Sequence, residues 1–288
     1  MSSLSERLFA GFQHLLPHHP LSRLAGGLAN CEHPAVKDWL IRHFIDHYRV
    51  DMAEAEQPDP GAYPNFNAFV TRPLRQDVRP LAQRENSVLC PADGAISQIG
   101  SIRGGRLLQA KGRYFSAGEL LGGDGPREAQ FATGSFATIY LSPRDYHRLH
   151  MPMAGRLRQM IHLPGRLFSV NAGSARSVPN LFARNERVAA IFETEVGPMA
   201  LVLVGAIIVA SIETVWHGVV TPPTTKDVSL WDYSNDSIFL DRGAEMGRFR
   251  LGSTIIVLFG NDVVKWETSL AEGTPVRMGS ALGSLSAK

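Results

Sequence analysis

The sequence predicts an α+β protein whose mainly antiparallel β sandwich or barrel-like core follows N-terminal amphipathic helices. Three observations predict this class. Apolar residues recur at helical spacing over the first 48 residues, short runs rich in Val, Ile, Phe, Tyr and Thr recur after residue 62, and no helical pattern separates those runs. Strands that follow one another without intervening helices favour an antiparallel core over a parallel, doubly wound sheet.

Two amphipathic helices are predicted near the N-terminus. The first is expected to end before Pro17 and to carry an apolar face made of Leu4, Leu8, Phe9, Phe12, Leu15 and Leu16. The second is expected to begin after Pro34 and to carry toward one side Trp39, Leu40, Phe44, Ile45 and Tyr48. Two interpretations stay open. Either both helices pack on the core, or they lie in the plane of a membrane surface whose anionic headgroups meet Arg7, Arg23, Lys37 and Arg42.

A domain boundary is predicted near residue 62, because residues 57–67 are rich in Pro, Gly, Asp and Asn. We therefore expect an N-terminal helical, membrane-associating region over residues 1–62 and a β-rich domain over residues 63–288. Within the second region, strands are predicted over 137–141, 188–193, 200–209, 212–215 and 254–259.

Composition excludes several classes of protein. The chain is 44% hydrophobic and 19% charged, which excludes a disordered protein, and its two cysteines, Cys31 and Cys90, exclude a disulfide scaffold and are expected to be reduced. A net charge of +2 provides no general attraction for nucleic acid. The longest apolar stretches are shorter than the roughly 20 residues that cross a bilayer, and no secretory signal is visible. We expect the cytosol or the cytosolic face of a membrane.

Two stretches place titratable side chains beside turns. Asp93 is bracketed by Pro91 and Gly94, where its carboxylate alone would simply close a turn. His147 and His150 are three residues apart, a spacing that shares one face of a helix and can supply an acid and a base near pH 7 or two metal ligands. No Cys pair or HExxH pattern accompanies them, so we expect no metal. The spacing alone is equally consistent with two structural histidines that take no part in any chemistry.

A third stretch places Gly252 and Ser253 directly before an apolar strand-like run. Gly252 has no side chain to shield its carbonyl from the adjacent Ser253 hydroxyl, although such a pair alone is equally a turn at the start of a strand. Together the three stretches describe a self-processing triad, in which Ser253 is the nucleophile, a histidine takes its proton and Asp93 orients that histidine.

Five motifs occur together in the chain: PADG (91–94), YLSPRDYHRLHMP (140–152), PNLFARNER (179–187), ETVW (213–216) and GRFRLGST (247–254). The set resembles bacterial phosphatidylserine decarboxylase from about residue 34 to the C-terminus, and the likeness is weakest over the first 33 residues. The resemblance implies a proenzyme that cuts itself between Gly252 and Ser253. The products would be a β chain of residues 1–252 and an α chain of residues 253–288, held together without a covalent link.

The resemblance also implies the role of each site residue. Asp93, His150 and Ser253 would form the autocleavage triad, and Ser253 would become a covalent pyruvoyl group that forms a Schiff base with the amine of phosphatidylserine. His147 would serve decarboxylation or substrate handling. The products would be phosphatidylethanolamine and CO2, with no external cofactor.

A lipid substrate implies a peripheral protein on the cytoplasmic side of the cell (inner) membrane, with the N-terminal helices in contact with the surface. Arg144, Arg148 and Arg166 are candidate ligands of the headgroup phosphate, and pairing of protomers stays open. Two alternatives remain: a membrane-docking β-rich binding module that never processes itself, and a zinc hydrolase that uses His147 and His150.

Overall fold

The computed structural model describes residues 11–13, 16–110, 112–123, 125–207, 211–222, 227–250 and 253–286. Its α-helices are α1 (His18–Ala29), α2 (Pro34–Tyr48), α3 (Phe66–Val70), α4 (Ala117–Leu121), α5 (Gly125–Gln130), α6 (Ala172–Ser177) and α7 (Leu181–Arg184), and short 3-10 turns cover Met52–Glu54 and Pro60–Ala62. After α2 the described helices are one or two turns long, as the sequence predicts.

Beyond residue 86, strands are the main regular secondary structure of the described chain. They are β1 (Ser87–Leu89), β2 (Gly94–Arg103), β3 (Arg106–Ala110), β4 (Arg113–Ser116), β5 (Thr133–Leu141), β6 (Arg148–His150), β7 (Gly155–Leu163), β8 (Arg187–Thr194), β9 (Gly197–Val204), β10 (Ile212–Thr214), β11 (Gly218–Val219), β12 (Ser229–Asp232), β13 (Phe239–Leu240), β14 (Glu245–Phe249), β15 (Ser253–Gly260), β16 (Val264–Trp266), β17 (Pro275–Val276) and β18 (Ala281–Leu285).

The strands form one large sheet and two small ones. The large sheet has the order β12-β7-β8-β9-β15-β5-β2-β3-β4, with β13 beside β7 and β17 beside β2. The small sheets have the orders β11-β10-β14-β6 and β1-β18-β16. Neighbouring strands run antiparallel, and the strands that are described do not close into a barrel. The predicted α+β class with an antiparallel sandwich core is confirmed.

Both faces of the large sheet are buried, which explains the uninterrupted apolar run of β15. Ile255 and Val257 face a cluster that the small sheets cover with Leu149, Ile212, Phe249 and Leu282. Ile256 and Leu258 face the opposite cluster, which the short helices cover with Leu120, Leu121, Leu181 and Phe182. Because side chains alternate along a strand, each face receives every second residue, and both must be apolar.

The five predicted strands lie within or overlap β5, β8, β9, β10 and β15. The predicted strand over 200–209 is longer than β9, which ends at Val204, and residues 208–209 lie outside the described part of the chain. The prediction over 212–215 extends one residue beyond β10.

The N-terminal region confirms one predicted helix. Most of the first predicted helix, including Leu4, Arg7, Leu8, Phe9 and Leu15, lies outside the described residues. The second is α2, but its apolar residues do not all face one side. Ile41 is buried with Leu40, Phe44 and Ile45 beside it, whereas Trp39 is 63% exposed. Two residues along a helix are about 200° apart, so Trp39 lies on the side opposite Ile41.

One expected headgroup contact is wrong. Lys37 is buried and donates hydrogen bonds to Asp38 Oδ1 at 2.6 Å and to the Gly61 carbonyl at 2.9 Å, so its charge is used inside the protein. None of the described helices is long and apolar enough to span a membrane.

A third apolar cluster joins α2 to α3, apart from the two clusters of the β core. Phe44 packs edge-on against Phe66 and Phe69 of α3, with ring centroids 5.1 and 5.9 Å away. Residues on the two sides of position 62 therefore pack together, because α3 contacts the preceding helix α2. The boundary near residue 62 stays a prediction.

Candidate functional site

Three neighbouring strands bring Asp93 and Ser253 to the same end of the large sheet. β15 begins at Ser253, opposite Leu141 at the end of β5. Ala95, near the start of β2, is opposite Tyr140. Because these strands are antiparallel, the start of β15, the end of β5 and the start of β2 share one edge. Asp93 immediately precedes β2 and therefore lies at this edge.

A glycine allows the turn that carries Asp93 to lie against β5. Gly94 has a φ of +156°, and a Cβ at this position would lie 2.2 Å from the Tyr140 carbonyl oxygen. No side chain fits that gap, so Gly94 fixes the close approach of the two strands.

The two histidines lie on or directly before β6, so the helical face expected for them is wrong. Asp145 closes a turn after β5 by accepting hydrogen bonds from the Ser142 amide and hydroxyl, each at 2.7 Å. The chain then pairs with β14 as an extended strand, and residues three apart on a strand point to opposite sides. The His150 amide donates to the Pro91 carbonyl at 2.8 Å, which ties β6 to the Asp93 turn.

The candidate cleavage junction lies where the chain passes from one sheet to another. β14 belongs to a small sheet and β15 to the large one. Gly252 lies outside the described residues. Ser253 is fully buried, and its Oγ has no hydrogen-bond partner among the groups that the structure describes. A buried hydroxyl without a partner is costly, so this one is a candidate reactive group.

His147 is a buried base. Its Nδ1 donates to the Asp145 carbonyl at 2.7 Å, and a carbonyl can only accept, so the hydrogen is on Nδ1. Its Nε2 is buried without a partner in the described part of the chain. Burial lowers the pKa of His147 to about 4. The imidazole is therefore neutral at pH 7, and Nε2 presents a lone pair.

His150 uses both ring nitrogens. Nδ1 donates to the Gly243 carbonyl at 2.8 Å, and the Tyr146 hydroxyl donates to Nε2 at 3.1 Å. Burial lowers the pKa of His150 and raises that of Tyr146. Tyr146 therefore holds its proton and joins the site as a residue that the sequence did not single out.

Asp93 is bound by an arginine and not by a histidine. Arg79 donates to its carboxylate from Nε at 2.9 and 3.1 Å and from Nη2 at 2.5 Å, and the Met278 amide donates at 2.8 Å. No hydrogen bond joins Asp93 to either histidine among the described groups. Burial lowers the pKa of both imidazoles, and the Asp93 charge partly opposes that lowering.

A cleft of about 350 Å³ opens beside Asp93. Its charged lining includes Arg49, Asp51, Glu54, Arg72, Arg79, Arg144, Asp145 and Arg277. Glu54 accepts from Arg79 Nη2 at 2.7 Å, which extends the Asp93 pair into a triad of charges. Arg79 and Glu54 have no sequence signal, since each lies in an irregular segment without a motif.

The arginines proposed for the phosphate differ in availability. Arg144 lines the cleft. Arg148 is engaged by the Thr71 carbonyl and by Glu245, each at 2.8 Å. Over the described residues, no group of three or more His, Cys, Asp or Glu side chains is arranged to hold a metal ion.

Comparisons with known proteins find similarity to one family over most of the chain. The family model described as phosphatidylserine decarboxylase matches residues 66–284, and a second, described as PSD, matches residues 8–49. A phosphatidylserine decarboxylase proenzyme from Azotobacter vinelandii is 58% identical over 98% of this chain and all of its own length. Proteins of the same name from Stutzerimonas stutzeri and Bordetella pertussis are 56% and 59% identical, over 97% and 96% of this chain and 95% and 94% of their own lengths.

Proposed function

The chain belongs to the phosphatidylserine decarboxylase family, and we propose that it is a self-processing, pyruvoyl-dependent enzyme that converts phosphatidylserine to phosphatidylethanolamine and CO2. The observation that carries the proposal is Ser253, the first residue of the central strand of the large sheet, whose buried hydroxyl has no hydrogen-bond partner among the described groups. The non-processing membrane module is not favoured, because the relatives are named proenzymes over nearly their full lengths.

Self-cleavage would begin when a base removes the proton of the Ser253 hydroxyl and Oγ attacks the Gly252 carbonyl carbon. The Gly252 acyl group moves to Oγ, the peptide C–N bond breaks, and the Ser253 nitrogen gains a proton. Loss of the Cα proton expels the Gly252 carboxylate and leaves dehydroalanine. Addition of water to its imine form releases ammonia and leaves a ketone.

We assign this first reaction to His150, Asp93 and Ser253. The Tyr146 hydroxyl donates to His150 Nε2, and once Nε2 takes the serine proton the same hydroxyl oxygen can accept a hydrogen bond from it. The charge of Asp93 favours the imidazolium that forms, and Arg79 holds that carboxylate in place. The junction lies between two sheets, so each new end stays anchored in its own sheet.

The residues around Ser253 fit a pyruvoyl group, because the methyl group of that cofactor takes the place of the serine CH2OH, whose hydroxyl has no hydrogen-bond partner among the described groups. When present, this group supplies an electron sink for the loss of CO2, which no natural side chain provides.

We assign proton handling during turnover to His147. Its neutral imidazole presents Nε2, so it accepts a proton from the substrate ammonium and returns it to the carbon that lost CO2. A positioned acid or base of this kind contributes about 10²- to 10⁴-fold.

The N-terminal helices supply the membrane contact, so we place the enzyme peripherally on the cytoplasmic side of the cell (inner) membrane. Their described part exposes several large apolar side chains: Phe12, Leu21, Leu24, Leu28 and Trp39. Arg23 and Arg42 are exposed on the same helices. An apolar face with nearby cations suits an interface of anionic lipid.

Mass spectrometry of the protein after expression tests the proposal. We expect two chains, of residues 1–252 and 253–288, and an α chain that begins with a ketone and forms a hydrazone. The Ser253→Ala variant should stay one chain and release no CO2 from phosphatidylserine. Release of CO2 by protein whose junction is intact would contradict the proposal.

A further inference from the structure

The loop between β7 and α6 is held by the N-terminal segment. The backbone amides of residues 166–169 each donate a hydrogen bond to a different acceptor. The Arg166 amide donates to the Arg184 carbonyl at 2.9 Å, and the Phe168 amide donates to Asn185 Oδ1 at 3.1 Å. The other two amides, of Leu167 and Ser169, donate to side chains that lie some 150 residues earlier in the chain.

Those two side chains are Gln13 and His18, and both are almost completely buried. Gln13 Oε1 accepts from the Ser169 amide at 2.6 Å, and His18 Nδ1 accepts from the Leu167 amide at 3.2 Å. His18 Nε2 donates to the Gln13 carbonyl at 2.7 Å, so the tautomer that this bond requires leaves Nδ1 free to accept. The two contacts therefore form one connected unit.

The loop is close to the junction. Asn185 Nδ2 donates to the carbonyls of Phe168 and Gly205, both at 2.8 Å. Gly205 follows Val204 of β9, which is paired with Thr254, the residue after Ser253. The Asn185 side chain therefore links the loop to the end of β9, the strand that pairs with the start of β15.

A cavity of about 220 Å³ lies between the N-terminal helix, the loop and Arg250, which follows β14. Arg23 of α1, Leu167 of the loop and Arg250, which precedes the junction by two residues, line it together. Movement of the loop would therefore change the shape of a cavity that Arg250, directly after β14, also lines.

We propose that Gln13 and His18 are positioning residues for turnover, which hold the loop of residues 166–169 against the site through the Ser169 and Leu167 amides. The inference rests on the proposed function. It assigns the N-terminal segment a role inside the protein that is separate from membrane contact, because these two side chains are buried while the apolar side chains named above are exposed.

The test compares variants of the full chain that keep or lose the acceptor. Gln13→Glu retains an oxygen for the Ser169 amide, and Gln13→Met does not. Gln83→Met is the matched control, since Gln83 is exposed and its side chain donates to the nearby Leu81 carbonyl. Each protein is assayed for self-cleavage, for flotation with phosphatidylserine–phosphatidylcholine vesicles, and for CO2 release from those vesicles and from short-chain phosphatidylserine in detergent micelles.

We expect Gln13→Met to cut itself and float normally but to lose about 10- to 100-fold in CO2 release on both substrates, because small displacements at a site cost rate. Gln13→Glu should keep more activity than Gln13→Met because it retains the acceptor, although its carboxylate replaces a buried amide that donates to Ser174 Oγ at 3.2 Å. A loss confined to vesicles would show a docking role and overturn the inference, as would an uncut Gln13→Met chain.

A second pair decides the matter if Gln13→Met does not fold. His18→Asn retains an acceptor for the Leu167 amide and His18→Leu removes it, so equal turnover by these two variants overturns the inference. A native enzyme that releases no CO2 overturns the proposed function and this role together. If every variant turns over at the native rate, only the positioning role is overturned.

Discussion

Arg79 grips the carboxylate of Asp93 through three hydrogen bonds, and the two side chains are only 6% and 9% exposed. Asp93, which the sequence motifs pair with a histidine, is therefore bound by the guanidinium of Arg79. Without Arg79, the Asp93 carboxylate would be buried with no counterion bound to it, whereas Arg79 also pairs with Glu54.

Loss of Arg79 should destabilise the protein strongly. In a Ser253→Ala background that keeps the chain intact, we expect Arg79→Met to lower the free energy of unfolding in urea by about 3–5 kcal/mol, the usual cost of breaking a buried pair. Arg75→Met is the control, because Arg75 pairs with Asp77 at the surface, where solvent screens the pair and its loss should change stability little. Equal effects of the two changes would contradict a structural role for the buried pair.

The two histidines should separate cleavage from turnover. We expect His150→Ala and Asp93→Ala to remain single chains on a denaturing gel, because the Ser253 hydroxyl loses its proton acceptor or the charge that supports it. His147→Ala should be cut but should release CO2 about 10²- to 10⁴-fold more slowly. An uncut His147→Ala chain would mean that the roles are reversed or shared.

Acid should destabilise the folded protein through His147. Its pKa is about 4 when folded against 6.5 as the reference for the unfolded chain, so the unfolded chain binds the extra proton between these values. Stability from this group is complete above pH 6.5 and is lost as the pH falls toward 4, by up to about 3 kcal/mol.

Urea unfolding of the Ser253→Ala chain at pH 7 and pH 4.5 measures that loss. Adding His147→Gln should make the difference between the two pH values smaller, because glutamine does not titrate. Equal differences with and without His147→Gln would show that other groups cause the acid sensitivity.

The exposed apolar face of the N-terminal helices should govern vesicle binding. Leu24 and Trp39 are 75% and 63% exposed, and we expect Leu24→Ser with Trp39→Ser to weaken flotation with anionic vesicles while self-cleavage is unchanged. Leu230→Ser with Phe239→Ser is the matched control, since these similarly exposed residues lie on β12 and β13 of the large sheet. Unchanged flotation of the helix variant would assign binding to another surface.

The core strands could be predicted because they are buried on both faces, and continuous runs of Val, Ile and Leu such as those of β9 and β15 are typical of strands in the middle of a sheet. Apart from β10, the strands of the small sheets could not be predicted. β14 carries Glu245, Gly247 and Arg248 within five residues, and such a short, mixed segment is stabilised by its partners rather than by its own pattern.

The site was predictable where reactive residues accompany turns, as at Asp93 and Ser253. The helical interpretation of His147 and His150 failed because spacing alone cannot reveal that β6 pairs with β14. Arg79, Tyr146 and Gln13 act through partners distant in sequence or through contacts that no local pattern encodes. Long-range pairing of this kind is visible only once the chain is folded.

The position of β15 between β5 and β9 has a consequence for the lifetime of the enzyme. All eight residues of this strand are buried, and it is paired along both edges. After cleavage, the C-terminal chain could dissociate only if the hydrogen bonds on both edges of β15 were broken. If isotopically heavy and light enzyme are mixed and incubated, we therefore expect no molecules that combine a heavy chain with a light one. Each molecule would keep the pyruvoyl-bearing chain that it produced by its own cleavage.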